Sequence, residues 1–205
     1  MGRASRARQA AEQAAPPEVT AARAAERAKA ERDPARAVPL FDEAVRRDER
    51  LEAESPRRHL IDLALLLHHY ALTLIAGNQG QKGAFKAAAA YVRFQQAQQQ
   101  GIDVPVRDLA HATTTYAIGH SLMGTYEEAA QYAAEAAALW QPLADAEVSP
   151  NEFEARAGLA MALDEQTKAL RRLARFEEAD GTGERAAVVL RQLVATVRRD
   201  GEARR

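Results

Sequence analysis

The sequence has no cysteine among its 205 residues. Disulfide bonds and thiolate metal sites are therefore excluded, and nothing points to an oxidising compartment. Aromatic residues are also scarce, at 5%, whereas alanine supplies much of the 47% hydrophobic content. This composition favours helices that approach one another closely over a core of large side chains, so we expect an all-α protein.

An excess of charge of either sign is also missing. The 28 basic and 29 acidic residues give a formal net charge of −1, so no general positive field is available to hold a polyanion, and nucleic acid is not an expected partner. The N-terminus lacks the apolar core of a signal peptide, and we find no run of about 18 apolar residues to span a bilayer. These absences predict a cytoplasmic protein with no membrane partner.

Lysine is rare among the basic residues. Only four occur, against a large excess of arginine, and alanine is abundant. This balance is typical of proteins encoded by GC-rich bacterial genomes, and it bears on the source of the protein, not on its function.

The two ends of the chain differ in composition from its middle. Residues 1–17 are rich in Arg, Ala and Gln and carry no apolar stripe, so burial cannot offset the entropy of ordering them. We predict a disordered tail over 1–17, a helical repeat domain over 18–199 and a frayed tail over 200–205.

The stretch 109–144 is the clearest helical hairpin in the chain. Apolar residues recur near the 3.6-residue helical period on both sides of Gly124, as at Leu109, Ala112 and Tyr116 before it. Glycine tolerates the left-handed conformation that ends a helix, and we expect Thr125 to cap the second helix.

Further helices are predicted over 18–32, 34–52, 56–76, 84–100 and from about residue 150 onward. Asp33-Pro34 has the cap-plus-proline pattern of a helix start, although Pro39 is an alternative start. Residues 77–83 have the composition of a loop. The turn of the last hairpin falls either near Ala174 or at Gly181, and the sequence does not decide between them.

Aligning the hairpins on their turns gives a repeated pattern. An aromatic residue follows each of three turns and should fill the gap beside it, whereas Pro34 stands at this position in the first hairpin. In all four hairpins an alanine follows three residues later, where the helices should cross. The spacing between turns is irregular, 41 residues from Gly83 to Gly124 and 50 from Gly124 to Ala174. The aromatic residues are Phe85, Tyr126 and Phe176, the alanines are Ala37, Ala88, Ala129 and Ala179, and small residues of the preceding helices are Ala25, Ala71 and Ala117.

This pattern resembles the tetratricopeptide repeat (TPR) family, whose signature is matched by Ala117, Gly124, Tyr126, Ala129 and Ala136. The resemblance implies a right-handed superhelical array of about four antiparallel helical hairpins over residues 18–199. The long spacing is similar to that of lengthened repeats in bacterial regulatory and signalling proteins.

Motifs that carry chemistry are weak in this chain. Residues 181–186 fit a G-x-G-x-x-A dinucleotide pattern, but a charged helical segment precedes them where that motif needs a strand. Asp108 and His111 lie one helical turn apart without a second such pair, and the adjacent His68 and His69 point about 100° apart. We therefore predict no catalytic residue, no metal site and no cofactor.

The groove lined by the first helix of each hairpin is the remaining candidate for function. Apolar, histidine and basic side chains there suit a protein or peptide that carries a carboxylate. Two alternatives are an oligomerising scaffold, in which a second copy covers the apolar helix around 65–67, and a small-ligand-sensing regulatory domain. The candidate groove residues are Lys29, His68, His69, Leu72, His111, Thr114, Ile118, Ser121, Lys168, Arg171 and Arg172.

Overall fold

The computed structural model describes residues 15–146 and 152–203. Every regular element over these residues is an α-helix, which confirms the expected all-α class. The helices are α1 (Pro17–Ala30), α2 (Pro34–Glu54), α3 (Pro56–Ala76), α4 (Gly80–Gln99), α5 (Val106–Met123), α6 (Tyr126–Asp145), α7 (Glu152–Arg172) and α8 (Phe176–Ala203).

The helices pack in the order in which they follow along the chain. Each contacts the next, so that α1–α2, α3–α4, α5–α6 and α7–α8 form hairpins and each hairpin packs on the following one. Two further contacts join α3 to α5 and α5 to α7, which are first helices of successive hairpins. This arrangement agrees with the helical-repeat character predicted from the sequence.

Three of the hairpin turns share one backbone feature. Asn78, Gly124 and Ala174 have φ of 59°, 78° and 59°, and each lies two residues before a second helix. The last turn therefore lies at Ala174. Gly181, the other position that the sequence allowed, lies inside α8, which continues without interruption to Ala203.

The first hairpin turns without a left-handed residue. Asp33 caps α2 by accepting a hydrogen bond from the Ala35 backbone N–H at 3.0 Å, and Pro39 lies inside the helix. Thr125 was expected to act similarly in the third hairpin, but it makes no side-chain cap. Its hydroxyl instead donates to the His120 carbonyl at 3.1 Å, because the turn folds back onto the last carbonyls of α5.

The observed starts of the second helices correct the alignment of the repeats that was predicted from the sequence. Because α4 begins at Gly80, Gly83 lies within the helix and is not the turn, and Ala88 is only half-buried. The predicted 41-residue spacing is therefore wrong, because the second turn lies at Asn78, 46 residues before Gly124, whereas the predicted 50 residues from Gly124 to Ala174 are confirmed. The fourth residue of each second helix is buried and small: Ala37, Gly83, Ala129 and Ala179.

Gly83 shows why that position must be small. A Cβ atom there would lie 2.6 Å from Ile75 Cγ1 and 3.0 Å from the Ala71 carbonyl oxygen, so the two helices of this hairpin touch backbone to backbone. Ala71 is also buried, and it precedes Gly83 by twelve residues. The same separation joins the buried pairs Ala25–Ala37, Ala117–Ala129 and Thr167–Ala179.

The aromatic residues after the turns do not fill gaps in the way predicted. Phe85 and Phe176 are 63% and 61% exposed. The prediction is wrong for these two because Phe176 begins its helix and Phe85 lies off the buried face of α4, which Ala84 and Ala87 form. The large buried aromatic residues of α4 and α6 are instead the fifteenth in each helix, Phe94 and Trp140.

Trp140 occupies the space between α5, α6 and α7. It is fully buried, and its Nε1–H donates to Thr114 Oγ1 at 3.1 Å. On the α7 side, a Cβ added to Gly158 would lie 2.4 Å from Cε2 of the indole ring. Glycine at this position therefore lets the indole pack directly on the α7 backbone.

The apolar helix α3 is covered by its own chain. Leu66 and Leu67 are 1% and 2% exposed, so these side chains need no second copy to bury them. Contrary to our expectation, the segment His59–Ala76 is long and apolar enough by length and hydropathy to match a membrane span. Because 56% of it is buried inside this chain, the match is weak evidence for a membrane.

Several predicted features fall at or beyond the limits of the described residues. Most of the tail predicted over 1–17 lies outside them, and α1 begins at Pro17. Residues 147–151, just before α7, also lie outside, whereas the backbone of α8 is helical to Ala203, within the tail predicted over 200–205. Pro142 lies inside α6.

The left-handed backbone at Ala174 predicts an unusual effect of glycine. A non-glycine residue in this conformation costs about 1–2 kcal/mol, so Ala174→Gly should stabilise the protein by up to ~1 kcal/mol in urea unfolding. Ala138, exposed on α6, is the matched control, and Ala138→Gly should destabilise by about 0.5–1 kcal/mol. Loss of stability in both variants would contradict the assigned turn.

Candidate functional site

Five of the predicted groove residues come together in one cavity. Ile118 and Ser121 on α5 face Lys168, Arg171 and Arg172 on α7 across a space of about 450 Å³. We call this cavity the α5–α7 cleft. It is also lined by Leu122, Tyr126 and Glu165, which the sequence analysis did not select.

The position of α5 in this cleft depends on an aromatic cluster on its other side. Tyr116 of α5 stacks on Tyr91 of α4 with ring centroids 4.5 Å apart, and it lies 4.7 Å from the ring of Tyr132 on α6. His120, one turn further along α5, lies 4.5 Å from Tyr116. These contacts hold α5 between two second helices and leave Ile118 and Ser121 directed at α7.

The α7 side of the cleft carries three cations in different settings. Lys168 Nζ lies 2.6 Å from Asp164 Oδ2, and that hydrogen bond raises the pKa of the lysine. Arg171 Nη2 lies 3.5 Å from Asp180 Oδ1. All three cationic side chains are exposed, so the ion pairs of Lys168 and Arg171 are weak and can be exchanged for a bond with a ligand.

Arg172 lacks such a carboxylate. Its guanidinium lies 6.0 Å from the ring centroid of Tyr126, and no ion pair of Arg172 occurs among the described residues. This distance is at the outer limit of a cation–π contact, and such a contact leaves the N–H donors of the guanidinium available for a bidentate bond with a carboxylate. Arg172 is therefore the cation of the cleft best placed to take an anionic group.

The other side of the cleft is apolar. Leu122 is 48% exposed beside Ile118, and its methyl groups lie 3.4 Å from where a Cβ on Gly80 would be.

Glu165 is an acidic residue on the α7 side of the cleft. It lies one helical turn before Lys168, with its Oε2 3.9 Å from the lysine Nζ. Helical spacing alone could have identified Glu165, whereas Leu122 follows from the packing of α5 beside the start of α4.

The remaining groove candidates lie elsewhere. Lys29 lines a separate cavity among the first three helices, and Leu72 is 38% exposed on α3. The prediction is wrong for His68 and Thr114, which are each 5% exposed. Thr114 is buried because its hydroxyl donates to the Ala110 carbonyl at 2.8 Å and accepts from Trp140.

Three histidines meet between α3 and α5. The His68 ring lies 5.3 Å from that of His69 and 5.7 Å from that of His111. His111 Nε2 lies 2.9 Å from Glu154 Oε1, and its ring contacts the edge of Trp140 at 4.6 Å. Among the described residues, no group of three or more His, Cys, Asp or Glu side chains is arranged to hold a metal ion.

His68 is held in its neutral form. Burial, followed by the charges of His69 and His111, lowers its pKa to about 3. Its Nδ1 atom is buried without a hydrogen-bond partner among the described residues. The His68 ring therefore acts as a packing group of the interior, not as a groove ligand.

Comparison of the chain with family models, curated proteins and solved structures gives no match.

The lowered pKa of His68 predicts acid sensitivity. Because its folded-state pKa lies below the ordinary value, the stability that neutral His68 confers is present above about pH 6.5 and is lost as pH falls toward 3. This corresponds to roughly 2 kcal/mol between pH 7 and pH 5. In urea unfolding at the two pH values, His68→Leu should lose less stability than the wild type, and equal losses would contradict the assignment.

Proposed function

We propose that the chain is a non-catalytic helical-repeat scaffold that binds a protein or peptide through a concave groove centred on the α5–α7 cleft. We further propose that the hairpins form a right-handed superhelix of the TPR-like kind, with first helices inside. The contacts of α5 with both α3 and α7 support this arrangement, because first helices of successive hairpins adjoin along the inner wall of such an array.

The chemistry of the cleft supports a partner that presents a carboxylate next to an apolar side chain. Three cations, Lys168, Arg171 and Arg172, face the apolar surface of Ile118 and Leu122 across one space. A carboxylate would pair with Arg172, while the apolar side chain of the partner packs on α5.

Binding without catalysis agrees with the residues at this site. The hydroxyl groups of the described lining are those of Ser121 and Tyr126, and no histidine lies there to activate them. The dinucleotide-like pattern at 181–186 lies inside α8 and not after a strand, where that motif works. We place this binding role in a bacterial, cytoplasmic regulatory or signalling system, on the basis of the sequence composition and the resemblance to lengthened repeats.

Peptide binding to the α5–α7 cleft can be tested by fluorescence polarisation. The probe is a fluorescein-labelled short peptide of alternating aspartate and leucine with a free C-terminal carboxylate, compared with an asparagine–leucine peptide ending in an amide. Only the acidic peptide should bind. Lys168→Ala and Arg172→Ala should each weaken binding by about 3–10-fold, which corresponds to the loss of one partly exposed charged contact.

Lys82→Ala is the matched control, because Lys82 is an exposed lysine on α4 outside the described lining of the cleft, and its Nζ donates a hydrogen bond to the nearby Gln79. It should leave the affinity unchanged. Equal binding of the two peptides, or equal effects of the three substitutions, would contradict recognition by the cleft.

A second candidate is an oligomerising scaffold, and one observation favours it. Leu190 and Val194 on α8 are 48% and 50% exposed. Counted from the first residue of the helix, they occupy the same positions in α8 as Trp140 and Ala144 do in α6, and those two residues pack against the next hairpin. An apolar face in this register is suited to a further helix from a second copy.

Light scattering distinguishes the two candidates. A scaffold that works as a monomer should give a mass of 22.4 kDa, and pairing through α8 should give twice that mass. In the second case, Leu190→Glu should return the mass to that of the monomer. The exposed Val92 on α4 provides the control, and Val92→Glu should leave the mass unchanged.

A further inference from the structure

One position in the repeat decides what fills the space between successive hairpins. It is the fifteenth residue of the second helix, occupied in chain order by Asp48, Phe94, Trp140 and Leu190. Phe94 and Trp140 are both 0% exposed, and each lies among its own hairpin and the first helix of the next. The first hairpin therefore has a carboxylate where the next two have a buried aromatic ring.

A cavity lies at this position in the first hairpin. It has a volume of about 340 Å³ and is lined by α1, α2 and α3, which correspond to the three helices around Trp140. Positions in the first helices are compared by counting back from the residue at each helix crossing, Ala25, Ala71, Ala117 or Thr167. By this count Asp62, which lines the cavity, is equivalent to Gly158, and Ala22 is equivalent to Thr114. The cavity is thus the space that an indole ring fills two hairpins later.

The lining of this first-hairpin cavity combines acidic and apolar side chains. Glu26 and Asp62 flank Asp48, while Leu51 and Leu66 contribute hydrocarbon. Lys29 Nζ is engaged by Glu26 at 3.4 Å, and His59 Nδ1 lies 4.0 Å from Asp62 Oδ2. The basic groups of the described lining are therefore associated with carboxylates other than Asp48.

Asp48 is the buried member of this group. Its residue is 6% exposed, and no hydrogen bond or ion pair to it occurs among the side chains that the structure describes. Burial, followed by the charge of Asp62, raises the pKa of Asp48, whereas His59 and Lys29 lower it. The charge of Asp48 is thus only partly compensated by His59 and Lys29, and a cation hydrogen-bonded to its carboxylate in the cavity would lower the cost of burying it.

We propose that the first-hairpin cavity is a binding site for a small organic amine, in which the Asp48 carboxylate accepts hydrogen bonds from the ammonium group. The hydrocarbon part of the amine takes the place that Phe94 and Trp140 fill in the following hairpins, and it packs on Leu51 and Leu66. The volume lies at the lower end of the range for small-molecule sites, about 300–1,000 Å³, so the ligand is a single-ring or short-chain amine.

Isothermal titration calorimetry of the full chain with phenethylamine tests this site, with 2-phenylethanol as the uncharged counterpart of the same shape. The amine should bind, and the alcohol should bind at least about tenfold more weakly, because it cannot satisfy the buried charge. Asp48→Asn, which keeps the shape and removes the charge, should weaken amine binding by a similar factor of about ten.

Two further variants separate binding from folding. Asp48→Leu puts an apolar side chain at the position, as in α8, so it should raise the midpoint of thermal unfolding while abolishing amine binding. Asp103→Asn, in the exposed connection before α5, should change neither property. Equal binding of amine and alcohol, full affinity in either Asp48 variant, or a lower unfolding midpoint for Asp48→Leu would overturn the proposal.

This site is independent of the α5–α7 cleft. None of the residues described as lining that cleft belongs to α1, α2 or α3. Amine binding can therefore succeed or fail whatever the outcome of the peptide experiment.

Discussion

The fold depends on how closely the two helices of each hairpin approach. At Gly83 the distance to Ala71 leaves no room for a methyl group, and the equivalent positions of the other hairpins carry alanine facing alanine or threonine. Small side chains at both crossing points let backbones approach and increase dispersion contacts along the whole pair. The 5% aromatic content is therefore compatible with a well-buried core, because close contacts replace large side chains.

A second constraint acts between hairpins, at the fifteenth residue of each second helix. Phe94 and Trp140 join their hairpins to the next by filling the gap completely, and Gly158 allows the indole to pack on the α7 backbone. The terminal hairpins depart from this pattern in opposite ways. Asp48 leaves a polar cavity, and Leu190 leaves an apolar surface that no later helix of the described chain covers.

The α5–α7 cleft follows from the same geometry. Crossing residues such as Ala117 direct one side of each first helix into its hairpin, and the opposite side lines the space between successive first helices. Ile118 and Arg172 face each other there although 54 residues separate them along the chain. The site therefore combines an apolar wall with a basic one, which neither helix provides alone.

Helical periodicity, together with the small residues, was enough to predict an all-α chain of paired helices from the sequence alone. These are local properties, since period, capping and turn preferences act within a few residues. The same reasoning took Gly83 for a turn, because a glycine needed for close packing and one needed for a left-handed backbone look alike in sequence.

Only the tertiary structure decided the repeat register, the burial of His68 and Thr114, and the exposure of Phe85 and Phe176. It alone also placed Asp48 at the position of a tryptophan. Burial depends on which helix lies opposite a side chain, and that contact joins residues far apart in the sequence, beyond the reach of any local pattern.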